Sequence, residues 1–290
     1  MSAAFLAAIV MVCACALIAL TTLLAKALGL GAGGTALHPL QISAGRFVFA
    51  WLAILVFTAL IRPGFENTAW HLHIMRSLCG WLGVTCMFAA AAHMPLSDAT
   101  ALAFLSPLVT MGLAGVMLRE RPGAWRWMAV LISFVGALVL IRPGANAFQM
   151  AALIALAAAL FMGFESIFIK RLSMKEPAVR ILFINNSIGA LISLSAALFV
   201  WQSPGTVDWL LLAGLGFAMA AAQALVIQAT KRGDASYVFP LLYSTLVFAT
   251  VYDFVAFGVW PDQASIIGAL LIVAGAMAIT YSGNVERARQ

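Results

Sequence analysis

Three ionisable side chains lie inside stretches that are otherwise apolar, and these are the groups with which the chain could do chemistry. Arg46 sits within the run 38–60, Glu165 towards the end of the run 148–169, and Asp253 within the run 235–258. Placing such a group in hydrocarbon is disfavoured by about 2.5–3.5 kcal/mol on insertion scales, so each marks a candidate site. Arg46 is a fixed cation that could receive a carboxylate or a phosphate; an ion pair or a cap on backbone carbonyls would account for it equally. Glu165 shares one helical stripe with Phe161, Phe164 and Phe168. A carboxylate among rings can hold an ammonium group or take up a proton, or it can simply pair with Lys170 or Arg171 nearby.

Neutral polar and aromatic residues recur on helical faces of several other runs. Ser77, Trp81, Thr85 and Phe88 form one such face, Thr100, Phe104 and Pro107 a second, Gly216, Met219 and Gln223 a third. Ser236, Phe239, Pro240, Tyr243 and Thr250 form a fourth. Pro107 and Pro240 each free a carbonyl one turn earlier. In a membrane such a carbonyl needs a partner, for instance a water-lined cavity. The candidate cavity residues are therefore Trp81, Thr85, Thr100, Phe104, Phe164, Glu165, Gln223 and Tyr243, with Arg46 as a structural or anion-binding residue.

Other patterns carry less. Gly29, Gly31 and Gly34 satisfy G-x-G-x-x-G, but no strand precedes them, and a flexible link explains them better. His71 and His73 read as an interfacial pair, and Asn185 and Asn186 as hydrogen-bonding partners for neighbouring helices. The four cysteines (Cys13, Cys15, Cys79 and Cys86) lie in apolar runs without zinc-site spacing. No H-E-x-x-H, G-x-S-x-G or nucleotide-binding loop occurs, so neither an enzyme, a metal, a cofactor nor direct use of ATP is expected.

These residues must be positioned by helices in lipid. Charged residues make up 9% of the chain and apolar ones 64%, with a mean hydropathy of +1.05, against roughly 25% charged in a soluble domain. A water-soluble fold of 290 residues could not hide that much apolar surface. The net charge of +6 resides in short loops, which argues against nucleic-acid binding. Ten segments are long enough to span a bilayer: 4–26, 38–60, 71–92, 96–118, 124–141, 148–169, 178–201, 207–229, 235–258 and 262–282. The first reads as a span and not as a signal peptide. With the N-terminus inside, all Lys and Arg except Lys26, Arg142 and the in-segment Arg46 fall at inside ends. Both termini are thus expected in the cytoplasm, with the chain in an inner membrane.

The chain also repeats. Asp98-Ala99, Pro122 and Val135-Gly136-Ala137 return as Asp234-Ala235, Pro261 and Ala274-Gly275-Ala276. Counted in segments the repeat is five helices long, and an odd repeat must invert across the membrane. The expected fold is an all-α integral membrane protein of ten helices, in two inverted five-helix halves, 1–145 and 146–290. Such halves place a site near the bilayer midplane.

Pro39 before Arg46-Phe47, then Pro95-Leu96-Ser97-Asp98-Ala99, Ser106-Pro107-Leu108, Leu118-Arg119-Glu120-Arg121-Pro122 and Phe134-Val135-Gly136-Ala137, carry a family resemblance. The chain resembles the drug/metabolite transporter superfamily in its ten-helix EamA-type branch, and within it the bacterial aromatic amino-acid exporters. One departure is Trp260, which stands where the second repeat of that family usually carries Glu before its proline. The resemblance implies a central cavity lined by helices of both halves and a secondary carrier of small molecules. Amino acids, including aromatic ones, lead as cargo, with nucleotide-sugar-like or drug-like molecules behind them.

Overall fold

The computed structural model describes residues 3–61, 64–66, 68–106, scattered positions between 109 and 139, then 146–173, 175–232, 242 and 244–288. Among the described residues all regular structure is helical. The elements are α1 (Ala3–Gly29), α2 (Pro39–Ile61), α3 (Trp70–His93), α4 (Leu96–Ala103), α5 (Asn146–Ser173), α6 (Ala178–Ala197), α7 (Thr206–Arg232), α8 (Ser244–Phe257) and α9 (Gln263–Ala288). Prolines mark several starts: Pro39 opens α2, and Pro95 and Pro177 immediately precede α4 and α6. A fixed φ and a missing N–H fit the first turn of a helix, where that donor has no partner anyway.

Six helices are long and apolar enough to cross a bilayer, at Leu6–Gly29, Pro39–Leu60, Trp70–His93, Met150–Ile169, Ala178–Val200 and Thr206–Val226. Their bounds follow the hydropathy segments to within a few residues. The segment 124–141 lies largely outside the described residues, although Gly136 is placed. A Cβ on Gly136 would meet the Gly268 carbonyl of α9 at 2.8 Å, so the fifth segment packs directly on α9.

Contacts between the halves come in exchanged pairs. α1 lies along α7 as α3 lies along α5; α1 meets α8 as α5 meets α4; α2 meets α7 as α6 meets α3. The pairs α2–α6 and α4–α8 are their own counterparts. A two-fold relation between two like halves produces this pattern. The chain is an all-helical membrane protein built on a repeated five-helix unit.

One segment departs from its expected form. The run 96–118 is not one continuous helix: α4 ends at Ala103, and Phe104 takes φ −69°, ψ 0°. Phe104 N–H reaches both Thr100 O and Ala101 O at 3.1 Å, and Leu105 N–H reaches Leu102 O at 3.0 Å. The last turn tightens because Pro107 offers no N–H to the Ala103 carbonyl. Pro107 itself lies outside the described residues, as do Ser236, Phe239 and Pro240. The link between α1 and α2 turns on Gly31 (φ +78°) and Gly34 (φ +119°), conformations that suit glycine. Gly31 and Gly34 thus belong to a link, whereas Gly29 is the last residue of α1, where a Cβ would stand 3.2 Å from Ala92 Cβ.

Candidate functional site

Between the halves lies a cavity of about 540 Å³, inside the range of about 300–1,000 Å³ usual for small-molecule sites. α1 contributes Ile18, Thr21 and Thr22, α2 contributes Arg46, and α3 contributes Met87 and Phe88. α4 and the stretch after its break contribute Thr100, Phe104, Ser106 and Thr110. From the other half come Met162 and Ser166 of α5, Met219 of α7 and Thr245 of α8. The interrupted helix thus lies on the cavity, where a non-helical stretch at membrane depth can be accommodated.

Four of the cavity hydroxyls are polarised in one direction. Thr21 donates to Ile18 O (2.7 Å), Thr100 to Leu96 O (2.7 Å), Thr110 to Ser106 O (2.9 Å) and Ser166 to Met162 O (2.9 Å). A hydroxyl has one proton, so each of these offers only lone pairs to whatever fills the space. Among the described lining residues Arg46 is the one charged side chain. It is buried, its Nε and Nη1 have no hydrogen-bond partner among the described residues, and its Cζ lies 4.5 Å from the Phe47 ring centroid.

Of the sequence-selected residues, Arg46, Thr100 and Phe104 lie on the cavity. Trp81 is not among its lining residues; its Nε1–H donates to Ser43 Oγ at 3.3 Å and ties α3 to α2. Thr85 Oγ1 and Gln223 Oε1 are buried without partners and lie off the lining, as does the half-buried Phe164. Glu165 pairs with Arg76 of α3 at 3.7 Å, a partner that helical neighbours such as Lys170 and Arg171 did not suggest. Tyr243 lies outside the described residues. Sequence reading missed Thr21 and Thr22, whose only signal was a Thr-Thr pair inside the most apolar span, of hydropathy 2.6.

Polar networks tie the two halves at both ends of the cavity. At one end Lys26 of α1 pairs with Asp253 Oδ1 of α8 at 2.5 Å, and Asp253 Oδ2 accepts the Leu96 N–H at 2.7 Å. Beside it Ser265 of α9 donates to Asp98 Oδ2 at 3.0 Å. At the other end His73 Nε2 lies 2.9 Å from Glu176 Oε2, and Arg180 lies 3.8 Å from the same oxygen. His73 is therefore a buried partner of Glu176 and not half of an interfacial pair with His71. Burial would raise the Glu176 carboxyl, but the Ala69 N–H, the His73 hydrogen bond and the charges of His73 and Arg180 hold it below its usual value. Asn186 donates to Leu182 O of its own helix at 2.9 Å, not to a neighbouring one, and Asn185 Oδ1 has no partner.

The chain matches the EamA-like transporter family twice, over residues 5–142 and 149–281. It is 28% identical over 250 residues to the S-adenosylmethionine uptake transporter of Rickettsia bellii, covering 86% of each chain. It is 32% identical to the riboflavin transporter of Vibrio cholerae, covering 76% of this chain and 74% of that one. With the pseudopaline exporter CntI of Pseudomonas aeruginosa it shares 28% identity, over 71% of this chain and 74% of that one. A solved crystal structure superimposes with a TM-score of 0.60 at 24% identity, over 90% of this chain and 95% of the other, a likeness of fold.

Proposed function

The chain belongs to the EamA-like transporter family of the drug/metabolite transporter superfamily, and from that premise we propose a secondary carrier working by alternating access. In this reading residues 1–145 and 146–290 are inverted halves that rock about the cavity. Both termini lie in the cytoplasm, and the cargo is small metabolites leaving the cell, foremost amino acids including aromatic ones. A reporter fused after Gln290 then reads cytoplasmic and one fused near Ala145 periplasmic; the opposite pair of readings removes the orientation.

The observation that supports this most is one cavity walled by helices of both halves, with polar ties between the halves at each end. A cavity joined to both halves changes its access when they rock, whereas a continuous pore needs no such ties. Relatives bear both uptake and export in their names, so the outward direction rests on the proposed link to amino-acid exporters. Drug-like or nucleotide-sugar-like cargo is the second reading, favoured by a cavity of about 540 Å³, roomy for one amino acid.

Thr100, Phe104 and Arg46 are the proposed cargo contacts in the conformation described. Trp81, Thr85, Phe164, Glu165, Gln223 and Tyr243 are proposed to join them as the halves move, Thr85 and Gln223 having polar atoms without partners to offer. Phe104→Ala is expected to weaken uptake of phenylalanine or tryptophan into proteoliposomes about five- to tenfold, from the loss of one ring contact, while leucine loses less. Equal losses for all three cargoes, or none, would remove Phe104 from the site.

A further inference from the structure

We propose that the cargo carries a carboxylate and that Arg46 receives it, an inference that rests on the carrier reading above and narrows it to anionic and zwitterionic molecules. Three other cations among the helices, Lys26 and Arg76 buried and Arg180 half-buried, each have a carboxylate partner. Lys26 has Asp253 at 2.5 Å. Arg76 has Glu165 at 3.7 Å and the Ile181 carbonyl at 3.4 Å. Arg180 has Glu176 at 3.8 Å and the Glu66 carbonyl at 3.2 Å. Arg46 is as deeply placed, at 6% exposure, yet has no carboxylate at ion-pair distance among the described residues. Glu165 lends it some field, but Arg76 holds that carboxylate and adds a repelling charge of its own.

The guanidinium is also held in place before any ligand arrives. α2 is gripped on two sides: a Cβ on Gly216 of α7 would stand 3.1 Å from the Arg46 carbonyl, and one on Gly189 of α6 would stand 2.4 Å from the Phe47 ring. Backbone contact at the first and a ring seated in the second fix the helix, and that ring lies against the guanidinium. A planar fork of donors, pre-oriented in a largely apolar space, matches a carboxylate better than a neutral carbonyl.

Four hydroxyls of the wall offer the opposite polarity. Because Thr21, Thr100, Thr110 and Ser166 have given their protons to backbone carbonyls, they present acceptors only. A molecule with a carboxylate at one end and N–H donors elsewhere satisfies both sides; a cation without a carboxylate leaves Arg46 unbalanced.

The test uses matched probes on the full chain in lipid nanodiscs: L-phenylalanine, L-leucine and 2-naphthoate, each against its own amide, with binding read by thermal shift and tryptophan fluorescence. At least one acid is expected to bind tenfold or more tightly than its amide, with the ratio falling to about one in Arg46→Gln. No acid preference in any pair, or a preference that Arg46→Gln retains, overturns the proposal. Should Arg46→Gln fail to fold, phenylglyoxal modification of the wild-type protein decides. The acid is expected to protect Arg46 from the reagent where the amide does not; an Arg46 that the reagent never reaches, or modifies equally with acid present, also overturns it. Counterflow of a cargo without a carboxylate, such as riboflavin, alongside no acid preference would retire the anchor and leave the carrier. An Arg46-dependent acid preference with no counterflow of any cargo would do the reverse.

Discussion

Asp253→Asn is expected to destabilise the folded protein by about 3–5 kcal/mol, the usual consequence of removing one partner from a buried ion pair. Asparagine keeps the volume and can still accept the Leu96 N–H that Asp253 Oδ2 now accepts at 2.7 Å. What it cannot supply is charge for Lys26, whose ammonium lies 2.5 Å from Asp253 Oδ1 and otherwise has, among the described residues, only the Phe257 ring at 4.8 Å. The asparagine amide would also turn donors towards a group that has donors alone. Lys26→Met removes the orphaned charge, so the double variant Lys26→Met/Asp253→Asn should recover at least half of the loss. Thermal unfolding of the four proteins of this cycle gives the coupling directly. Wild-type stability in Asp253→Asn, or a double variant as weak as the sum of the two singles, would show that the pair does not join α1 to α8.

Gly216→Ala carries the second large effect, expected at about 1–3 kcal/mol as overpacking between two helices. Its new Cβ would stand 2.4 Å from Phe49 Cβ, 3.0 Å from Ala50 N and 3.1 Å from Arg46 O. Two of those three are backbone atoms of α2, which cannot move aside as a flexible side chain can. The helices must separate, and Arg46 shifts with α2. Gly214, one turn-half earlier on α7, is the control: a Cβ there meets only Leu24 Cδ1 at 3.7 Å, an ordinary contact. Gly214→Ala should therefore be neutral, or more stable by up to about 1 kcal/mol from helix propensity. Melting temperatures in nanodiscs compare the two. A Gly216→Ala protein as stable as Gly214→Ala would mean that α2 and α7 do not approach as closely as described.

The long helices were legible in the sequence because lipid imposes one rule on twenty residues at a time, and averaging over a span hides local detail without harm. The break in the fourth segment was not. A proline acts on the turn before it, so Pro107 was visible as a perturbation, but whether that turn bends or ends depends on what packs around Phe104. Arg46 stood out because an arginine in an apolar run is costly wherever the run goes. Thr21 and Thr22 did not: each satisfies its hydroxyl on Ile18 O of its own helix, so neither marks a site until the other helices are in place. The ion pairs were hidden for a different reason. Lys26 and Asp253 are separated by 227 positions, and no local period connects them. Glu165 likewise took a partner from α3, while the sequence offered only the cations along its own helix.

Saturable counterflow by the purified chain tests the carrier account most directly. Proteoliposomes preloaded with millimolar unlabelled phenylalanine, tryptophan or leucine are diluted into trace labelled amino acid, with S-adenosylmethionine and riboflavin run in parallel. A carrier that exposes one cavity to each side in turn takes up label transiently above its equilibrium level, and only when the lumen is preloaded with a cargo it accepts. That overshoot, saturating with cargo and lowered by Phe104→Ala, is the predicted result. Label that merely equilibrates at a rate indifferent to preloading would describe a channel, and no protein-dependent flux of any of the five compounds would contradict the account.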